Sequence, residues 1–151
     1  MAKLFVDANP SFVAFVLEDG PSGYQHLPLG HSSMEAEYLA VMYGLGEYFI
    51  MWQKELDARH DDLDVEKSRA IGEETFATVA TPSERTRRPL PPAVLVCSDN
   101  EVVVKQLSRQ WHIGNNRLRK LAQQVWTMSQ NVEVKFEWVS RKKNPAGKML
   151  P

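Results

Sequence analysis

The stretch Ala93-Val94-Leu95-Val96-Cys97-Ser98-Asp99-Asn100 decides how this chain is read. Its apolar residues run without alternation, as in a strand at the centre of a sheet covered on both faces. The polar triplet Ser98-Asp99-Asn100 stops the strand, and a helix follows with Val103, Val104 and Leu107 inward. A second run of the same kind opens the chain: Leu4-Phe5-Val6 ends at Asp7-Ala8-Asn9-Pro10, a cluster with turn chemistry. Two strands therefore each finish on an acid.

The rest of the chain builds outward from these two. Phe12 to Leu17 reads as a second strand, broken by Glu18 to Gly23, and Tyr24 to Leu29 as a third, so residues 1–29 form an antiparallel meander. Ser32 or Ser33 caps a long helix reaching about Leu56, whose stripe Met34, Tyr38, Val41, Leu45, Tyr48 and Trp52 has helical spacing and faces the sheet. Glu37 falls inside that stripe, where an acid is costly unless it is paired, hydrogen-bonded or metal-bound. Glu35 points to a different face. Residues 57–92 lose periodicity and turn polar and proline-rich, which predicts a flexible insertion, with a short extension of the helix into its start.

After the central strand and its helix, Trp111 to Asn115 is a connector, with Trp111 expected in the core. Asn116 is placed to cap a helix from Arg117 to about Gln130, with Leu118, Leu121, Val125 and Met128 inward. Val132 to Val139 alternates as a last strand, with Val132, Val134, Phe136 and Trp138 on one face. The element order is βββα, insertion, βααβ and a basic tail. Right-handed crossover puts the fourth strand beside the first, parallel to it.

Length and composition set the frame. With 151 residues, 43% hydrophobic and 25% charged, the chain supports one compact α/β domain with a core of its own. The single cysteine, Cys97, excludes an internal disulfide framework and reads as core filler, and the four scattered histidines have no zinc-like pairing. No segment reads as a secretory signal or a bilayer-length apolar run, so the expected compartment is the cytoplasm, with no membrane partner. The net charge of −1 hides an asymmetry: residues 1–92 hold 8 Lys/Arg against 15 Asp/Glu, residues 93–151 hold 10 against 4. A basic half suits a polyanion, and it suits a solvated surface equally.

If the first and fourth strands are parallel neighbours, Asp7 and Asp99 emerge at one carboxyl edge of the sheet, and Glu37 near the start of the crossover helix reaches the same point. Three carboxylates held together repel unless a cation neutralises them. Hard oxygen ligands in an open cluster suit Mg²⁺ or Mn²⁺, which can align a water against a phosphodiester. Taken alone, Asp99 serves as well as a cap for the helix after it.

Val6-Asp7, Ala36-Glu37-Tyr38 and Cys97-Ser98-Asp99-Asn100, in that order, resemble the three core motifs of type 1 ribonuclease H. Val104 to Leu107, Trp111 to Ile113 and Asn116 to Leu118 resemble its compact members, and Phe136 to Arg141 followed by Asn144 resembles its last strand and following loop. Asp7-Ala8-Asn9-Pro10 and Ser98-Asp99-Asn100 are also similar to ribonuclease H domains of reverse-transcribing viruses and retroelements. The resemblance covers all but residues 57–92. It implies a single ribonuclease H-like domain over 1–151, with a five-stranded mixed sheet in the order 3-2-1-4-5 flanked by helices. The implied activity is metal-dependent endonucleolytic hydrolysis of the RNA strand of an RNA–DNA hybrid, leaving 3′-hydroxyl and 5′-phosphate ends. Asp7, Glu37 and Asp99 would hold one or two Mg²⁺ or Mn²⁺ ions, with Asp7 bridging.

The sequence departs from that pattern in three places. Lys148 stands where the family carries a fourth acid, three residues from the last residue, and is expected at a frayed end. Only Ala8-Asn9-Pro10-Ser11 follow Asp7, in place of a long glycine-rich turn. Candidate substrate contacts are Asn9, Asn115, Asn116, Arg117, Arg141, Lys142 and Lys143, with Lys105, Arg109, Arg119 and Lys120 adding phosphate attraction. The alternatives are a binding module disabled by Lys148 and a DNA or junction nuclease of the same fold. The first helix is apolar on further faces (Leu39, Met42, Phe49, Ile50), compatible with a monomer whose insertion folds back or with a homodimer.

Overall fold

The two acid-ended strands lie side by side. In the computed structural model, which describes residues 1–71 and 90–151, β1 (Ala2–Ala8) pairs in parallel with β4 (Val94–Ser98), Leu4 opposite Val96 and Phe5 opposite Cys97. The meander closes as expected, β1 pairing antiparallel with β2 (Phe12–Leu17), and β2 with β3 (Ser22–His26). The last strand, β5 (Val134–Trp138), adds in parallel to β4 and completes a five-stranded sheet in the order 3-2-1-4-5. β3 begins earlier than Tyr24, because the break before it tightens into a turn in which Leu17 N–H donates to Pro21 O and Gly20 N–H to Leu17 O.

Two compact units divide the chain, one of residues 1–48 and 92–151, the other of residues 49–91. In the first, the core is one sheet face under helices. Leu4, Val6, Val94 and Val96 are buried there with Tyr38, Val41 and Leu45 of α1 (Ser33–Ile71), Val103 of α2 (Glu101–Leu107), and Val125 of α3 (Asn116–Met128). Gly44 lets α1 lie close to β1, since a Cβ there would stand 2.7 Å from Val6 Cγ1. The expected stripe of α1 is the buried one from Tyr38 to Tyr48.

The second unit holds the continuation of α1. The helix does not stop near Leu56 but runs to Ile71, so the first part of the stretch expected to be an insertion is helical. Asp57-Ala58-Arg59 and the residues after them contain neither proline nor glycine until Gly72, and nothing in the backbone chemistry ends the helix sooner. The remainder of that insertion, residues 72–89, lies outside the described residues. Among the described residues, no helix is long and apolar enough to cross a membrane.

Three local expectations change. Asn115, not Asn116, caps α3: its extended backbone (φ −96°, ψ 128°) turns Oδ1 onto the N–H groups of Arg117 and Leu118. The inner face of α3 is narrower, with Ala122 and Val125 buried and Leu118, Leu121 and Met128 half-buried. Trp111 is 47% exposed, because the connector Ser108–Asn115 runs over the surface and only Ile113 turns into the core.

Candidate metal centre

Each member of the acid set is delivered by a different piece of backbone. Asp7 sits near the end of β1, Asp99 immediately after β4, and Glu37 in the second turn of α1, whose start is set by Ser32 Oγ accepting from Glu35 N–H. Asp99 is not used as a cap. Asn100 takes that task, its Oδ1 accepting from Val103 N–H at 3.1 Å, which leaves the Asp99 carboxylate to face its neighbours. One carboxylate oxygen from each of Asp7, Glu37 and Asp99 lies within 4.8 Å of the other two.

The electrostatics of this cluster would suit a cation. Asp7 is 8% exposed, and burial holds its carboxyl above the ordinary range; the Ala8 N–H, 2.8 Å from Oδ1, opposes this, the Asp99 charge adds to it, and Arg141 opposes it again. Glu37 is pushed further, to about 8, by burial first and then by the charges of Asp7 and Asp99, with Arg141 pulling the other way. Its Oε2 is buried and has no hydrogen-bond partner among the described residues. A buried orphan oxygen is expensive unless something not made of protein satisfies it. Oxygens sharing one Mg²⁺ at about 2.1 Å each stand at most about 4.2 Å apart, so small side-chain rotations bring all three onto one ion. The donor set is all carboxylate oxygen, the choice of a hard divalent cation. The residues fit the implied metal.

Two residues outside the expected site hold it together. Asn144 is buried (2% exposed); its Nδ2 donates to Val6 O at 2.9 Å and to Asp99 Oδ2 at 3.4 Å, and its Oδ1 accepts from Ala146 N–H. One amide thus ties the β1 main chain beside Asp7 to the carboxylate of Asp99. Gly147 lies against the cluster itself, since a Cβ there would stand 2.9 Å from Asp7 Oδ2. Both belong to a C-terminal 3₁₀ segment, Pro145–Met149 with Asn144 as its cap. The dipeptide Asn144-Pro145 signals that turn in the sequence, whereas the reach of Asn144 to Asp99 is visible only in the fold. Lys148 is therefore not at a frayed end: it sits, exposed, in a segment packed on β1, β2 and β3, since Ala146 and Asn144 bury the turn around it.

The other expected contacts distribute differently. Asn9 is a turn residue, its Oδ1 accepting from Ser11 and Phe12 N–H and its amide reaching Pro151 O. Asn115 is the α3 cap, and Asn116 is the exposed first residue of that helix. Arg117 is exposed and lies 3.9 Å from Glu35, which also meets His31 and takes no part in the acid cluster. Arg141, Lys142 and Lys143 form an exposed 3₁₀ turn after β5, and Arg141 is the cation felt by Asp7 and Glu37.

A family model described as reverse transcriptase-like matches residues 91–150. Among solved structures, the chain is similar to the N-terminal RNase H domain of Rv2228c from Mycobacterium tuberculosis (TM-score 0.60, 17% identity, 98% of this chain and 88% of that one). It is similar to RNase H1 from the halophilic archaeon Halobacterium salinarum NRC-1 (TM-score 0.60, 16% identity, 99% and 91%). It is also similar to LC11-RNase H1, solved in complex with an RNA/DNA hybrid (TM-score 0.60, 14% identity, 98% and 91%). No curated protein matches the sequence.

Proposed function

From a chain of ribonuclease H-like fold that resembles type 1 ribonuclease H, we propose a metal-dependent nuclease that hydrolyses the RNA strand of RNA–DNA hybrids, leaving 3′-hydroxyl and 5′-phosphate ends. The observation that carries this reading is the convergence of Asp7, Glu37 and Asp99 around a buried, unpartnered Glu37 oxygen. A protein that only bound nucleic acid would gain nothing from mutually repelling acids placed where water cannot screen them.

Asp7, Glu37 and Asp99 would hold Mg²⁺ or Mn²⁺, one ion or two. When bound there, the cation supplies activation of a water and stabilisation of charge on the departing oxygen of a phosphodiester. The chain's own residues prepare the place. Asn144 and the Ala8 N–H orient the carboxylates of Asp99 and Asp7. Glu37 keeps its proton through neutral pH until a cation takes its place, as its raised pKa requires. Arg141, Lys142 and Lys143 draw a phosphate backbone towards the acid edge without reading sequence. We place this activity in the first unit, with residues 57–92 as an insertion and the cytoplasm as its compartment.

Lys148 favours a second reading, in which the fold grips nucleic acid without cutting it. Labelled RNA–DNA hybrid, double-stranded DNA and double-stranded RNA, each with Mg²⁺ and with Mn²⁺, separate the two. The hydrolase reading requires cleavage of the hybrid RNA strand and its loss in Asp7→Asn. Binding without cleavage supports the grip, and unchanged cleavage in Asp7→Asn would falsify the site.

A further inference from the structure

The indole of Trp138 stands at the same sheet edge as the three carboxylates. Trp138 is the last residue of β5, in register with Ser98, and its Nε1–H donates to the main-chain carbonyl of Asp99 at 3.1 Å. Half of the residue nonetheless stays open to solvent, at 50%. With its one polar side-chain atom engaged, the side chain has only ring carbon to offer there. The alternation along β5 puts it on one strand face with Phe136, which is half-buried, and at the strand's end that face is open to solvent.

The tether separates Trp138 from Trp126 and Trp111, two other described tryptophans near the surface. Trp126 gives its N–H to Leu107 O and has the Arg109 guanidinium over its ring at 4.1 Å, so that face is already covered. Trp111 belongs to the connector before α3. Only Trp138, among these three, is anchored to a member of the acid cluster. The segment that follows it, residues 139–148, carries Arg141, Lys142, Lys143 and Lys148 and no acid, next to the acid cluster itself. An exposed aromatic ring beside a run of cations is the composition that holds a nucleic-acid strand, the cations on its phosphates and the ring on a base or sugar face.

We propose that Trp138 is a stacking platform for the nucleic-acid strand presented to Asp99, taking a base or sugar face against the indole. The proposal rests on the nuclease reading and names a contact that reading lacks. Because the ring is fixed to the Asp99 main chain, a strand laid on it is held in a set position relative to the carboxylates. This adds orientation to the unspecific attraction of the Arg141–Lys143 turn.

The test uses the full chain and a fluorescently labelled RNA–DNA hybrid, with single-stranded RNA and single-stranded DNA of the same sequence, in metal-free buffer. Trp138→Ala should weaken binding by roughly five- to a hundred-fold, the range of one stacked base, and Trp138→Phe should recover most of it. The salt dependence of binding should keep its slope in both variants, since stacking releases no counterions, whereas Lys142→Ala should lower it. Quenching of tryptophan emission on binding should diminish in Trp138→Phe. Mn²⁺ binding measured by calorimetry should be unchanged in both variants. Two results overturn the proposal: Trp138→Ala binding nucleic acid within two-fold of the parent, which leaves the indole to a protein partner, or its losing Mn²⁺ binding as well, which makes the ring a structural support for Asp99. If the parent protein binds none of the three probes, the nuclease reading falls first and takes the proposal with it. The three failures are distinguishable.

Discussion

The acid edge of the sheet and the connector leading into α3 are both rich in polar residues, and the fold uses them in opposite ways. Asp7, Glu37 and Asp99 come from three distant segments and meet within 4.8 Å, with one buried oxygen left unpartnered. Asn115 stays local, closing the N–H groups of its own helix, and Arg117 in the first turn of α3 meets Glu35 only at the solvent-exposed surface. The difference separates polar residues that satisfy the backbone from polar residues held against one another at an electrostatic cost. Only the second kind stores the need for a ligand.

The largest expected effect breaks the comparison outright. Asp99→Asn should reduce hybrid cleavage by on the order of a thousand-fold or more, while Arg117→Ala should leave the turnover number intact and only shift the substrate concentration needed. Steady-state assays of both variants decide it. Equal losses in the two would mean that the acid edge is not the special one.

Next comes the tie between the acids. Asn144→Ala leaves Val6 O and Ala146 N–H without their side-chain partner in a buried place, at a cost of roughly 2–4 kcal/mol. Denaturant unfolding should show that loss, and calorimetry should show weaker Mn²⁺ binding than in the parent. A variant that loses stability yet binds Mn²⁺ as tightly would reduce Asn144 to a packing residue.

The pH dependence follows from Glu37. Its pKa rises from 4.5 in the unfolded chain to about 8 in the fold. Between those values the folded state keeps a proton that the unfolded state has released, so this group's contribution to stability falls as pH rises from 4.5 to about 8. The effect is on the order of 5 kcal/mol. Without divalent cations the melting temperature should therefore decline across that window, and Glu37→Gln should flatten the decline. Added Mn²⁺ should raise the melting temperature more near pH 8 than near pH 6, because there it displaces fewer protons. A flat profile for the parent protein would show that Glu37 is not held protonated.

The smallest effects sharpen the comparison at its edges. Gly147→Ala sets a methyl against Asp7 Oδ2, which should cost about 1 kcal/mol and weaken Mn²⁺ binding a few-fold as the turn gives way. Arg117→Ala should lower the salt slope of hybrid binding by about 1 without changing metal affinity.

Much of this was legible in the chain. The two acid-ended strands, the meander and the buried stripe of α1 follow from apolar periodicity and turn residues, because those patterns are local. Glu37 was legible for a related reason: an acid on an apolar stripe is conspicuous. The reach of α1 to Ile71 was not, because polar composition without proline or glycine is compatible with both helix and linker. Trp111, expected in the core, is half exposed, because composition does not tell which residue of a connector turns inward.

What the sequence determined by itself is therefore the element order and the three acids, since each rests on a periodicity or a motif readable along the chain, while the full sheet order came with the family resemblance. The tertiary structure alone decided which polar residues serve the acids. Asn144 reaches Asp99 across 45 positions of sequence, Gly147 leaves room for Asp7, and Trp138 is tethered to the Asp99 main chain. Hydrogen bonds between residues far apart in the chain have no period and no spacing. They exist only once hydrophobic burial has brought their strands together.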